Sequence, residues 1–320
     1  MSSPRISAWS WAIAIAAWTA TQLAAQEYPR KPVRIVATEP GGGGDIVARL
    51  VAQGLTSAWK QQVIVDNRSG IIANEVAARA PADGYSLLCN ASAMWLWPFL
   101  SRGATWDPLR DFAPVALAVR QPMIVVVHPA LPVTSVKELI AFAKSKPGTL
   151  NYGISGLGVS THLATELFNS QSGISVVPVN YKGTAAAITG LIGNQIQMMF
   201  ANAASVTPHI KSGRLTALAV TTSRPSPVAP GVPTVASSGL PGFEADIILG
   251  LFAPAGIPAT LVRRLNQDIV LALNKGDVKE KLFNIGMEVI AGSPEDLLAA
   301  VKLEMAKWGK VIKDGNILAG

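Results

Sequence analysis

Cysteine is nearly absent from this chain, and histidine is scarce. The one thiol, Cys89, leaves no internal disulfide to hold the fold. It follows Leu87 and Leu88 in an apolar run and reads as a buried strand thiol. The three histidines, His128, His162 and His209, stand far apart, and no His, Cys or carboxylate pair has metal-ligand spacing. No metal, cofactor or catalytic residue is therefore expected. Charge is also sparse: 15% of residues, 27 basic against 20 acidic, net +7. The basic residues are scattered rather than gathered with aromatics, which argues against nucleic acid as a partner. Beyond residue 25 no apolar run approaches the roughly 20 residues of a membrane span.

What is present begins with an export segment at 1–25. Arg5 supplies a positive start, 8–20 is an apolar run, and Ala24 and Ala25 offer small residues for cleavage before Gln26. Removing it leaves 295 residues (320 less 25) and a net charge of +6, because Arg5 is the only charge removed. That length suits one large or two medium domains.

Two glycine loops stand out. In KPVRIVATEPGGGGDIVARL an apolar strand around Val33, Ile35 and Val36 leads into Gly41, Gly42, Gly43 and Gly44, then Asp45 opens a helix with Val47, Leu50 and Val51 on its apolar face. Glycine lets backbone approach a ligand, and the free N–H groups of a helix start attract anions. A second strand, loop and helix start recurs in NYGISGLGVSTHLATE. Two such cradles in one exported chain suggest a clamp closing on a small acid.

Between them short apolar runs alternate with amphipathic stretches. Strands are expected at 63–65, 86–89, 115–119, 123–127, 150–154, 176–179, 197–200, 215–220 and 247–253. Helices are expected at 75–80, 160–171, 184–192, 205–211 and 261–273. Ser135 with Glu138 reads as a capping box for another helix, and Ser293-Pro294-Glu295-Asp296 caps a last helix through Lys313. The loop SRPSPVAPGVPT is too donor-poor for a central strand. The alternation predicts an α/β class with largely parallel sheets.

Several chemistries fail on their own residues. A phosphate loop needs Lys and Ser or Thr after its last glycine, but Asp45 and Ile46 follow. A dinucleotide fingerprint needs a third glycine where Thr161 stands, and an acid after the next strand, where Asn180-Tyr181-Lys182 stands. Gly153-Ile154-Ser155-Gly156-Leu157 lacks the last glycine of a nucleophile elbow. His162, in a first helical turn, suits packing or hydrogen bonding better than general base work. Ser160 and Thr161 can cap their helix, hold an anion, or do both. Lys182 offers a countercharge or a solvated side chain; Ser92 follows a strand end, with Trp95 and Trp97 as pocket walls or packing.

At these motifs the chain resembles the Bug family, the extracytoplasmic solute receptors of tripartite tricarboxylate transporters. The matching pieces include YPRKPVRIV, PGGGGDIVAR, DNRSG, APADGYSLL, DPLRDFAPVALA, KPGTLNYGISG, STHLATELF, VNYKGTAAAITGLIGNQIQMMF, PHIKSGRLTALAVTT, VPTVASSGLPGFE and LFAPAGIPA. They run in the family's order from Tyr28 nearly to the C-terminus. The resemblance implies a two-domain periplasmic binding fold of type II kind, with the ligand in the interdomain cleft. Domain 1 would comprise 26–122 and 247–320, and domain 2 would comprise 123–246, with crossings near Arg120 to Met123 and near Asp246. Carried over, the ligand contacts are Gly41, Gly42, Gly43, Gly44, Asp45 and Ser92 from domain 1. Domain 2 would supply Ser155, Gly156, Ser160, Thr161, Thr184, Asn202 and Ser205. Three departures bear on the ligand: Ala201 where relatives commonly carry an acid or amide, Glu39 at a usually apolar position, and a loop about three residues shorter after Gly70.

The implied function is a periplasmic, monomeric, non-enzymatic receptor that delivers a small carboxylate to membrane transporter subunits by hinge closure. With Ala201 in place of an acid, an ammonium-bearing ligand is expected to have one partner fewer. Two other classes remain: a ligand sensor presenting a carboxylate to a membrane signalling partner, and an exported α/β hydrolase.

Overall fold

Continuous apolar runs become the central strands of two sheets. The computed structural model describes residues 28–315 and 317, apart from 39, 69, 102 and 157. The expected export segment and Glu39 thus lie outside the described residues. In the first sheet β1 (Val33–Ala37) pairs in parallel with β2 (Val63–Asn67) and β3 (Ser86–Asn90). β4 (Phe112–Gln121), β10 (Ile247–Pro254) and β11 (Glu288–Gly292) complete the order β11-β4-β10-β3-β1-β2. The second sheet contains β5 (Met123–Val127), β6 (Asn151–Ile154), β7 (Val177–Asn180), β8 (Met198–Asn202) and β9 (Thr216–Val220), in the order β7-β6-β8-β5-β9.

These sheets are mixed, which corrects the expectation of largely parallel pairing. β10 runs antiparallel to β3 and β4, β11 antiparallel to β4, and β5 antiparallel to β8 and β9. The reason is topological. The chain passes from β4 to β5 through Pro122 alone and returns at Asp246 into β10. β5 and β10 therefore start at the junction and run away from it, while β1, β3, β4, β8 and β9 end there. Every loop that follows one of those strand ends is delivered to the junction.

Ten helices cover the sheets among the described residues. In chain order they are α1 (Gly43–Trp59), α2 (Ile72–Ala78), α3 (Ser92–Leu100), α4 (Val136–Ser145), α5 (Ser160–Ser172), α6 (Thr184–Ile192), α7 (Ala203–Lys211), α8 (Ala259–Leu273), α9 (Gly276–Asn284) and α10 (Pro294–Asp314). No described helix is long and apolar enough to cross a membrane. α3, α9 and β11 had no expectation attached. The segment SAMWLWPFL of α3 is apolar on every side, so it carries no 3.6-residue period, and Pro98 sits inside it.

Capping differs between two helices that both begin with serine. Ser293 and Asp296 form the reciprocal box that starts α10. At α4 Ser135 accepts the Glu138 N–H, but Glu138 itself takes the Thr134 N–H and hydroxyl. The expected box is therefore displaced by one residue.

Three apolar clusters fill the layers. α1, α8 and α9 pack on one face of the first sheet through residues such as Val47, Val51, Leu265 and Leu282. A small cluster under α6 and α7 includes Ile124, Ile188, Ala201 and Val206. The third runs unbroken from Leu88, Trp95 and Phe252 of the first sheet's side, through Met123, to Tyr152, Phe168, Phe200 and Phe243 of the second, with Trp308 and Val311 of α10 beside them. Cys89 is fully buried, and burial pushes its thiol up to about 12.

Candidate functional site

The first glycine loop is shaped from within. Asp45, only 3% exposed, turns back on it: Oδ2 accepts from the Gly41 N–H at 2.9 Å and from Arg49 Nε at 3.0 Å. Its Oδ1 accepts from Asn67 Nδ2 at 2.9 Å, and the same amide donates to the Thr38 carbonyl at 2.7 Å. Burial acts to raise the Asp45 pKa, but the bonds from Arg49, Gly41 and Asn67 outweigh it and hold the carboxyl below its usual range. The Gly41 N–H was expected to face a ligand; it is committed to Asp45 instead. Gly42, Gly43 and Gly44 remain as the start of α1, whose N-cap has no side-chain bond. A Cβ at Gly43 would stand 2.8 Å from Met287 Cε, so the tip of that side chain lies directly over the loop.

The second loop has a lighter support. The Gly158 N–H donates to His162 Nδ1 at 2.9 Å, which places the neutral ring's proton on Nε2. His162 is buried and stacks on Tyr152, with ring centroids 6.3 Å apart. Burial lowers its pKa, against a smaller opposite pull from Glu166.

These two halves meet. Ser92 is the first residue of α3 and Ser160 the first of α5, and their Oγ atoms lie 3.1 Å apart. Leu100 at the other end of α3 packs against Gly158. A second contact lies at Gly286, where φ is +75° and a Cβ would stand 2.9 Å from the Ala204 nitrogen at the start of α7. The next residue, Met287, is the one that abuts Gly43. The starts of α1, α3, α5 and α7 are thus gathered at the junction of the sheets, none with a side-chain cap. Their free N–H groups and positive dipole ends make this end of the molecule receptive to anions.

Buried polar atoms without partners mark the same region. Thr161 Oγ1, on a residue 9% exposed, and Asn202 Oδ1 accept and donate nothing. Asn202 projects on the same side of β8 as Phe200, which packs on Phe168 of α5. Thr161 lies about two turns before Phe168, so the start of α5 is carried toward Asn202. In the first half, Asn90 Nδ2 donates to Asn74 Oδ1 at 2.7 Å and Asn90 Oδ1 accepts from the Ala91 N–H at 2.8 Å, fixing the turn into Ser92. Asn74 Nδ2 and the Trp95 and Trp97 Nε1 atoms are buried without acceptors.

Other expected residues are placed as follows. Ser155 and Gly156 follow β6 in the second loop, half-buried. Thr184 and Ser205 line a separate groove of about 550 Å³ between α6 and α7, with Thr189, His209 and Arg214, and without Ser92 or Ser160. Lys182 is exposed. Ala201 is fully buried in the core under α6 and α7, so its missing acid leaves no gap in a pocket wall. Arg49, Asn67, Asn74, Asn90, Gly286 and Met287 escaped the sequence reading. Asn67 sits in the DNRSG motif and Arg49 closes PGGGGDIVAR, one helical turn after Asp45; the other four act through tertiary contacts.

The crossings carry a charge pair. Arg120 Nε lies 2.9 Å from Asp246 Oδ2, whose side chain is buried, with Glu244 3.8 Å from the same guanidinium. Burial raises the Asp246 carboxyl to about 7 against the pull of Arg120. Among the described residues no group of three or more His, Cys, Asp or Glu could hold a metal ion.

The chain matches the model of the tripartite tricarboxylate transporter family receptor over residues 47–317. It is 33% identical over 301 residues to protein BugT of Bordetella pertussis, covering 92% of each protein. A Rhodopseudomonas palustris protein solved with adipate is 35% identical with a TM-score of 0.75, over 91% of this chain and 99% of that one. MatC of the same organism, with bound malate, is 28% identical with a TM-score of 0.72, over 89% and 100%. By sequence, fold and the arrangement at the junction, this chain belongs to the tripartite tricarboxylate transporter receptor family, the solute receptors that include the Bug proteins.

Proposed function

We propose that the protein is a periplasmic receptor that captures a small carboxylic acid between two lobes and delivers it to the membrane subunits of a tripartite tricarboxylate-type transporter. The lobes are 26–122 with 247–320, and 123–246, and the chain acts as a monomer. Ser92 against Ser160 is the observation that carries this reading, since it sets two uncapped helix starts from different sheets face to face. An anion between the two like-signed helix ends offsets their repulsion, so an acid favours the closed arrangement about the crossings. One carboxylate is held at the starts of α1 and α3 by Gly42, Gly43, Gly44 and Ser92. The other end meets Ser155, Gly156, Ser160, Thr161 and Asn202, while Thr184 and Ser205, in their separate groove, are left out of the contact set. Charge-assisted bonds from N–H and hydroxyl groups orient the acid without an arginine. Relatives solved with adipate and with malate support the ligand class.

Calorimetric titration of the exported chain with adipate and malate, beside their uncharged diamides, tests it. Acids are expected to bind and diamides not, and Thr161→Val is expected to weaken the best acid about tenfold. Absence of binding across a panel of carboxylic acids, or diamides binding as tightly as acids, would overturn the reading.

A further inference from the structure

Arg120, Glu244, Asp246, Glu304 and Lys307 gather where the chain crosses between the sheets. Arg120, near the end of β4, places Nε 2.9 Å from Asp246 Oδ2 and Nη1 3.8 Å from Glu244 Oε1. Asp246 leads into β10, and its side chain is 4% exposed. α10 closes the other side: Lys307 donates to the Glu244 carbonyl at 3.2 Å and pairs with Glu304, which also accepts from Trp308 Nε1. The Ser223 hydroxyl donates to Glu244 at 3.1 Å. Glu288 lies opposite Arg120 in the β4–β11 register, but its carboxylate takes the Ser226 hydroxyl.

Asp246 is poorly supported in its charged form. Its Oδ1 is buried without a hydrogen-bond donor, and the Arg120 Nε–H, close as it is, makes no aligned hydrogen bond. Hydrogen bonds to the anion are what help to keep a buried carboxylate ionised. Glu244 and Glu304 add repulsion, while Arg120 and Lys307 oppose it. Burial is the largest influence and brings the carboxyl to about 7. A proton on Asp246 relieves the burial and the repulsion together, and leaves Arg120 to Glu244.

The cluster also straddles the two proposed lobes. Arg120, Glu304 and Lys307 belong to one, Glu244 and Asp246 to the other. Rotation about the crossings therefore changes the distances among them and the water that reaches Asp246. A group whose proton affinity depends on the lobe arrangement makes the proton a ligand of that arrangement. Resting on the receptor reading above, we propose that Asp246 is a proton-operated latch at the crossings. Its protonated carboxyl favours the arrangement in which Ser92 meets Ser160, and its carboxylate favours release. Capture of an acid is then coupled to proton uptake by a group outside the proposed contact set.

Calorimetric titration of the exported chain with adipate, in buffers of different ionisation heat, counts the protons exchanged on binding. Between about pH 6 and 8.5 ordinary carboxylates stay ionised, so uptake by a shifted one stands out. Binding is expected to take up close to one proton at the acid end of that range and none at the other. Affinity is expected to fall by up to about tenfold per pH unit below the Asp246 value of about 7, and to level off above it. Asp246→Asn, which keeps the size, is expected to abolish the uptake and to bind about tenfold or more tightly than the natural chain at pH 8. Glu244→Gln, at a partly exposed position, removes one repelling charge and is expected to move the levelling point to lower pH. Binding without proton uptake, or with the same uptake in Asp246→Asn, would overturn the latch and leave the receptor reading standing. If no acid binds at any pH, the receptor reading falls and the latch is read without ligand. Energy transfer between dyes on Gln53→Cys of α1 and Lys144→Cys of α4, both exposed, is then expected to change as pH rises through about 7, and not in Asp246→Asn. Cys89 is buried and stays unlabelled. A separation that ignores pH, or follows it equally in Asp246→Asn, would sink the latch.

Discussion

The two glycine loops at the junction are anchored very differently. The first is tied by a buried carboxylate that joins Gly41, Arg49 and Asn67, with Asn67 reaching on to Thr38. The second is supported at Gly158 by one neutral imidazole and by packing on Leu100. A loop with several convergent bonds is set before any ligand arrives; a loop with one support can adjust. In the proposed receptor that difference would make the first loop a fixed anion cradle and the second an adaptable one.

Removing the Asp45 carboxylate should have the largest effect. Asp45→Ala leaves the Gly41 N–H, Arg49 and Asn67 without their acceptor and is expected to cost about 2–4 kcal/mol in urea unfolding. Acid affinity is expected to fall with it. A loss under about 0.5 kcal/mol would show that the first loop is no better anchored than the second.

Acidification should separate the loops next. Asp45 has a folded pKa below its ordinary 3.8, so its stabilisation is present above that value and is lost only as pH falls through the depressed one. His162 has a folded pKa below its ordinary 6.5, so its contribution is present above 6.5 and fades as pH falls through the folded value. Once protonated, its Nδ1 can no longer accept from Gly158. Amide exchange, corrected for intrinsic rates, is therefore expected to lose protection at Gly158 as pH falls through the lowered His162 pKa, while Gly41 stays protected. Equal behaviour of the two amides would remove the contrast.

The smallest effect belongs to the contact between the halves. A double-mutant cycle of Ser92→Ala and Ser160→Ala is expected to show a coupling of about 0.5–1.5 kcal/mol in the unliganded protein, since one neutral hydrogen bond is at stake. Zero coupling would mean that the two helix starts do not meet in solution without ligand.

Much of this architecture was legible along the chain. β5 and α6 fall on their expected ranges, Met123–Val127 and Thr184–Ile192. Both glycine loops were visible too: glycine next to a strand end and a helix start is a local signal. α3 was not visible, since a segment apolar on every side has no period. The commitment of Gly41 to Asp45 was not visible either. Asp45 reads as an ordinary first-turn acid until Asn67, from a different strand, arrives to hold its other oxygen.

Residue order alone set the alternation of strands and helices and the two glycine-led helix starts, since each depends on near neighbours in the chain. Tertiary structure decided the rest: the mixed sheets, the meeting of Ser92 with Ser160, the hold of Asn67 on Asp45 and a cavity between α5 and α10. Each joins groups tens to hundreds of residues apart. Such pairings follow from where the crossings put the strand ends, which no local pattern encodes.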